Sequence, residues 1–385
     1  MTISVSGPIT APGRAQPLGG TWRLLDALTA RRKLQLVLGV IWLIDAALQY
    51  QPYMFGRDFV TQTLEPAAQG TPWIVEHPSM WAAHFMIHHI TLYNSFFATI
   101  QLVIALAIFY RPTLKFGLAL SVVWSVAVWW LGEGIGGVTA GATALMGAPG
   151  AVIVYAFLAL LLWPSDREPE PGTSVAECGL LGRIVPKAGW AVMWISFAYL
   201  GLEAVNRSPS ALYEMVDGMG SGESGWIKAL DRGLAAPLAH HGTEWSIVLA
   251  VLFVLVGVAV FVPKATRSGL AVAVLLGIII WLAEDFGQIF TGSATDVNSG
   301  PLLILFALAL WPLGQSPGRE TLTASSHRSP NRESQPPPLA IAEKAQPVLE
   351  PSGSRRALTL TPGPSRQDRL RGRHTAPADE RSRLP

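Results

Sequence analysis

Glu133 and Glu284 stand 151 residues apart, each at the end of an apolar run and each with a glycine three residues later, Gly136 and Gly287. Asp285 adjoins Glu284. The pairs His88-His89 and His240-His241 stand 152 apart. Carboxylates and imidazoles at a common depth in a membrane can relay protons or ligate a metal ion. The plainer reading of the two glutamates is structural, as helix caps or as acceptors for the Gly-rich turns beside them. His84 lies four residues before His88, so both fall on one helix face at a spacing that can hold a metal ion. Asp45 is an acid inside an apolar run, with Phe197 at the corresponding later position. Asn94 and Gln101 are candidate hydrogen-bond partners for it. No catalytic motif, metal-ligand motif or cofactor fingerprint is present. GEGIGG (132–137) fits a dinucleotide-binding pattern by letter, but it follows an apolar span rather than a strand. Catalytic residue, metal and cofactor are therefore left unassigned.

These residues must be positioned by membrane helices. Half of the chain is hydrophobic and 14% is charged, against about 25% charged in a soluble domain. Lys plus Arg (28) nearly balance Asp plus Glu (26), which excludes a typical nucleic-acid binder. One cysteine, Cys178, excludes an internal disulfide framework. Apolar blocks lie at 34–50, 86–110, 114–132, 148–163, 189–205, 245–262, 268–283 and 299–313. The reading is eight transmembrane helices in an all-α membrane protein. The eighth block, at about 22 Å of helix, is too short for a hydrocarbon core of about 30 Å. Segments 132–148 and 284–300 are expected to fold back into the protein at outer-leaflet depth, shielded from lipid. Two amphipathic stretches, around Phe55–Leu64 and Trp226–Leu234, are expected to lie on the outer interface.

Basic residues gather in the N-terminal tail and in alternate loops. They orient both termini to the cytoplasm, in the plasma membrane. The divisions are an N-terminal tail (1–33), a first four-helix unit (34–164), a cytoplasmic linker (165–188), a second four-helix unit (189–313) and a tail (314–385). That tail carries 11 prolines, with 12 Lys and Arg against 7 Asp and Glu. It has no apolar period and is expected to be disordered. The partners implied are the lipid bilayer and other membrane proteins, and no nucleic acid.

The two units look like copies. WLGEGIGGVTAGAT (130–143) matches WLAEDFGQIFTGSAT (281–295), pairing Trp130 with Trp281. Trp42 pairs with Trp194 and Pro112 with Pro263, all at an offset of 151 or 152. Each unit has an even number of spans, so the copies should be parallel.

With PYMFGRDF (52–59), WWLGEGIGG (129–137) and ATDVNSGPL (294–302), the chain resembles DoxX-like multi-pass membrane proteins, of an uncharacterised actinobacterial type. That resemblance implies a component of a membrane redox or envelope-maintenance system. The chain has no cysteine in its apolar blocks, which argues against a thiol mechanism. The alternative is a transporter of a small solute, proton or metal ion, using the cleft between the units. Because the tail has no apolar stripe, deleting residues 316–385 should leave the melting temperature of the remainder unchanged, as read by intrinsic fluorescence in detergent.

Overall fold

The computed structural model describes residues 19–314, except 168, 169, 171 and 220–224. Most of both expected tails therefore lies outside the described residues. The described chain is helical, and its one extended pairing is an antiparallel bridge between Ser174 and Pro312.

Twelve α-helices follow in order: α1 (Gly19–Leu48), α2 (Glu65–Ala68), α3 (Trp73–Ile87), α4 (Ile90–Phe109), α5 (Leu114–Leu131), α6 (Ala151–Leu161), α7 (Ile184–Gly201), α8 (Ala211–Met219), α9 (Gly225–Ala235), α10 (Gly242–Ala259), α11 (Thr266–Ala283) and α12 (Ser299–Leu310). Four of them, α4, α10, α11 and the helix ending at Leu131, are long and apolar enough to cross a membrane. The first helix begins well before the apolar block at 34 and carries Arg31, Arg32 and Lys33. The block expected at 86–110 is divided at His88-His89, which separate α3 from α4.

Packing follows a simple order. Helix α1 lies on α4, α4 on α5 and α5 on α6; then α7 lies on α10, α10 on α11 and α11 on α12. The sets meet where α6 touches α12 and α1 touches α12. Helices α6 and α12 are nearly all apolar and mostly buried. Their 11 and 12 residues give about 17–18 Å each, short of the hydrocarbon thickness. Each is preceded by a non-helical stretch that follows a left-handed turn.

Close helix contacts depend on small residues at matched places. A Cβ on Gly117 would meet Ala107 Cβ and Ile108 N at 2.9 Å, and one on Gly269 would collide with Ala259 Cβ. Aromatic rings fill the space between the sets, with Phe157 and Phe306 centroids 5.3 Å apart and Trp190 and Phe306 5.0 Å apart.

One end of the bundle is closed by the linker, which is folded and not merely a tether. Ala176 N donates to Ala309 O at 2.9 Å, and Leu313 N to Thr173 O at 2.9 Å. The buried Arg31 donates to Ser165 O and Val175 O, each at 2.9 Å, and Gln35 Nε2 donates to Leu162 O at 2.8 Å. Lys187 pairs with the buried Glu177 at 2.8 Å. Arg31→Ala would strand two carbonyls and open space under the linker. It should lower stability by about 2–4 kcal/mol. Thermal denaturation in detergent would show this as an earlier transition, while the reciprocal change at exposed Arg57 would leave the transition in place.

Candidate functional site

Glu133 and Glu284 are brought to equivalent places by equivalent backbones. Gly134, Ile135, Gly136 and Gly137 have φ of 54, 54, 65 and 64°; Asp285, Phe286, Gly287 and Gln288 have 51, 57, 73 and 56°. Four successive left-handed residues form a turn that L side chains resist by about 1–2 kcal/mol each. Glycine relieves most of that cost in the first turn, where Ile135 is the exception. In the second, three of the four carry side chains, so the surroundings must hold them. In both turns the third residue's N–H donates to the glutamate carbonyl at 2.8 Å, Gly136 to Glu133 and Gly287 to Glu284. Both glycines press against backbone just ahead of the next helix: Gly136 meets Pro149, and a Cβ on Gly287 would lie 2.7 Å from Val297 C.

The turns deliver each carboxylate to the N-terminus of a short helix. Ser299 Oγ donates to Glu284 Oε1 at 2.7 Å, while the Ser299 N–H is taken by the N-cap residue Asn298, whose Oδ1 accepts it at 2.8 Å. Glu133 Oε2 comes against Gly150, the residue just ahead of α6, so close that a Cβ there would collide with it. A tryptophan braces each site from the preceding helix. Trp129 Nε1 donates to Pro149 O at 2.6 Å and Trp281 Nε1 to Val297 O at 2.9 Å. The counterpart of Trp281 is thus Trp129 and not Trp130, whose indole donates to Ile74 O at 3.2 Å. The one-residue difference arises where the helix ends. Glu133 N reaches back five residues to Val128 O, whereas Glu284 N reaches back four to Ile280 O. The first copy therefore holds one extra residue in its last turn.

Asp45, 1% exposed, does not meet its expected partners. Asn94 Nδ2 donates to Gln49 O at 2.7 Å. The partners of Asp45 are the Tyr155 hydroxyl, which donates to Oδ2, and Val297 N, which donates to Oδ1 at 3.1 Å. Asp296 lies beside it, close enough for the two charges to interact, and both act on Glu133. Asp296 Oδ1 accepts from Asn298 N at 2.6 Å and Oδ2 from Thr295 Oγ1 at 3.0 Å. Among the described residues, no ion pair reaches Asp45, Glu133, Glu284 or Asp296. Four carboxyl groups and one phenol thus share the seam between the two sets of helices.

Tyr155 and Asp296 escaped the sequence reading. Like Asp45, Asp296 has no acid 151 or 152 residues away in the other set of helices. Reciprocal contacts tie the same seam. Gln49 Nε2 donates to Thr295 O, and Asn206 Nδ2 to Gly141 O, both at 3.0 Å. The end of each set's first helical run thereby grips the other set's non-helical stretch.

The histidines lie at helix junctions. His88 ends α3 and His89 opens α4, while His240 and His241 precede α10. All four are exposed, whereas Glu284 and Asp285 have no exposed surface. His241 Nδ1 lies 4.0 Å from Glu244. No hydrogen bond or ion pair joins these histidines to Glu133 or Glu284 among the described residues, and no group of three or more His, Cys, Asp or Glu is placed there to hold a metal ion. The exposed histidines stand in solvent-facing joints, and the glutamates turn inward to satisfy helix N-termini. No protein-family model, curated protein or solved structure matches the chain.

If Glu284 acts as a cap, its worth lies in accepting hydrogen bonds. Glu284→Gln keeps one carbonyl oxygen and should cost less than about 1 kcal/mol, while Glu284→Ala should cost about 1–3 kcal/mol. Melting temperatures of the two variants side by side would measure the difference.

Proposed function

We propose that this chain is an eight-span plasma-membrane protein built as two parallel four-helix repeats, with both termini in the cytoplasm. Its carboxyl seam handles protons in a membrane redox or envelope-maintenance system. The repeat reading is supported by the two left-handed turns, the two carboxylate caps and the reciprocal grips at the seam. The DoxX-like resemblance supports the system, in which the chain acts with other membrane proteins.

The observation that carries the proton reading is the cluster itself. Asp45, Asp296, Glu133 and Tyr155 act on one another inside the protein, with no ion-paired cation among the described residues. Acids placed so deep are costly. Glu133 and Asp296 are half-buried beside the buried Asp45 and Tyr155, and like charges so gathered oppose one another's ionisation, so the set titrates as a unit. Tyr155 provides a hydroxyl that can pass a proton to or from Asp45. Structural needs alone are met by the two glutamate caps. Asp45 and Asp296 belong to neither copy's capping scheme, and they give the seam its asymmetry.

Infrared spectra of the protein in lipid, taken between about pH 5 and 9, should contain a protonated carboxyl band whose intensity changes with pH. Asp45→Asn should abolish that component and slow proton entry into protein-loaded vesicles by roughly tenfold or more. A spectrum with no pH-sensitive carboxyl band would end the proton reading. Uptake of a small solute or metal ion that persists in Asp45→Asn would favour the transport alternative.

A further inference from the structure

Helix α3 carries a pair of histidines that neither the caps nor the seam employs. Its inner face is fixed by Val75, Ser79, Ala83 and Met86, all buried. Its outer face presents Trp81, Phe85, His84 and His88. Trp81 and Phe85 stack with centroids 5.6 Å apart, and Phe85 touches the Tyr93 ring at 5.4 Å. The imidazoles of His84 and His88 share this exposed face with the aromatic edge. His88 retains helical backbone angles, φ −78° and ψ −22°, so the i, i+4 relation with His84 is intact.

We infer that His84 and His88 together bind a first-row transition-metal ion of the zinc, copper or nickel class at the protein surface. Their ring centroids are 5.2 Å apart. A zinc–nitrogen bond is about 2.0–2.1 Å and the metal angle is near tetrahedral, so two imidazoles on one ion have centroids roughly 5 Å apart. The rings therefore already stand at chelating separation on an anchored helix, and rotation about their side-chain bonds suffices to turn a nitrogen of each to the ion. No hydrogen bond or ion pair occupies either ring among the described residues. Imidazole nitrogens select these ions over magnesium or calcium, which require oxygen ligands.

The other histidines do not make such a pair. His77 is drawn aside onto Trp73, with centroids 6.0 Å apart. His89 leaves the helix, with φ −139° and ψ 42°. His240 is left-handed at φ 68°, and His240 and His241 are sequence neighbours without a helical i, i+4 partner. The site is thus present in one half only. Two protein ligands leave two positions of a tetrahedral ion open to water or to an outside ligand. The inference is independent of the proton reading, since it uses none of the seam residues.

The test uses the full chain in detergent, with zinc or nickel titrated against a chromophoric chelator. One ion should bind per chain, and magnesium should not compete. His84→Ala and His88→Ala should each weaken binding by roughly tenfold or more, with melting temperatures unchanged because both side chains are exposed. His77→Ala and the double change His240→Ala with His241→Ala should bind as the parent does. Absence of stoichiometric zinc and nickel binding, or binding that survives the double change His84→Ala with His88→Ala, would overturn the inference.

Discussion

Two helices of this protein begin inside the bundle, and their N-termini have no bulk water to satisfy them. The first turn of any helix presents backbone N–H groups without intrahelical partners. At such a depth each orphan donor would cost several kcal/mol. Asn298 caps α12 directly, and the carboxyl groups of Glu133 and Glu284 lie at the two helix starts, where the positive end of the helix dipole favours them. The left-handed turns swing the acids round, the glycines let backbone approach backbone, and Trp129 and Trp281 fasten the strand ahead of each helix. The turns' strain is tolerable because the alternative is a set of unmet donors.

Asymmetry enters through Asp45 and Asp296. In the second set of helices the position of Asp45 belongs to Phe197, which packs among Trp194 and Phe253 with centroids 5.4 and 5.7 Å away. One side of the seam is thus apolar and aromatic, the other a carboxyl–phenol group. Two matching turns with one polar exception between them separate two demands. The turns meet the need for stable helix ends, and the exception is free to carry chemistry. The exposed His84–His88 pair is a second departure from symmetry, held on a surface helix away from the capping scheme.

The positions of the apolar helices followed from composition and periodicity, because a run of Leu, Val and Ile of that length has few other places to go. Spans after Leu114, Gly242 and Thr266 lie within a few residues of the sequence reading. The glycine-bearing segments at 132–137 and 284–288 were legible as turns, and the structure places a left-handed turn at each. The sequence by itself could set Glu133 and Glu284 at one height, yet height alone does not fix direction. Tertiary structure decided that they turn towards helix N-termini while the histidines face outwards, since a rotation of about 100° per residue separates inward from outward at the same depth. It alone joined Asp45 to Tyr155 and Val297, residues 110 and 252 positions away in the chain. No local pattern encodes such a meeting. It depends on how one helix set docks on the other, and on the extra residue at the end of α5 that moved the tryptophan equivalence from Trp130 to Trp129.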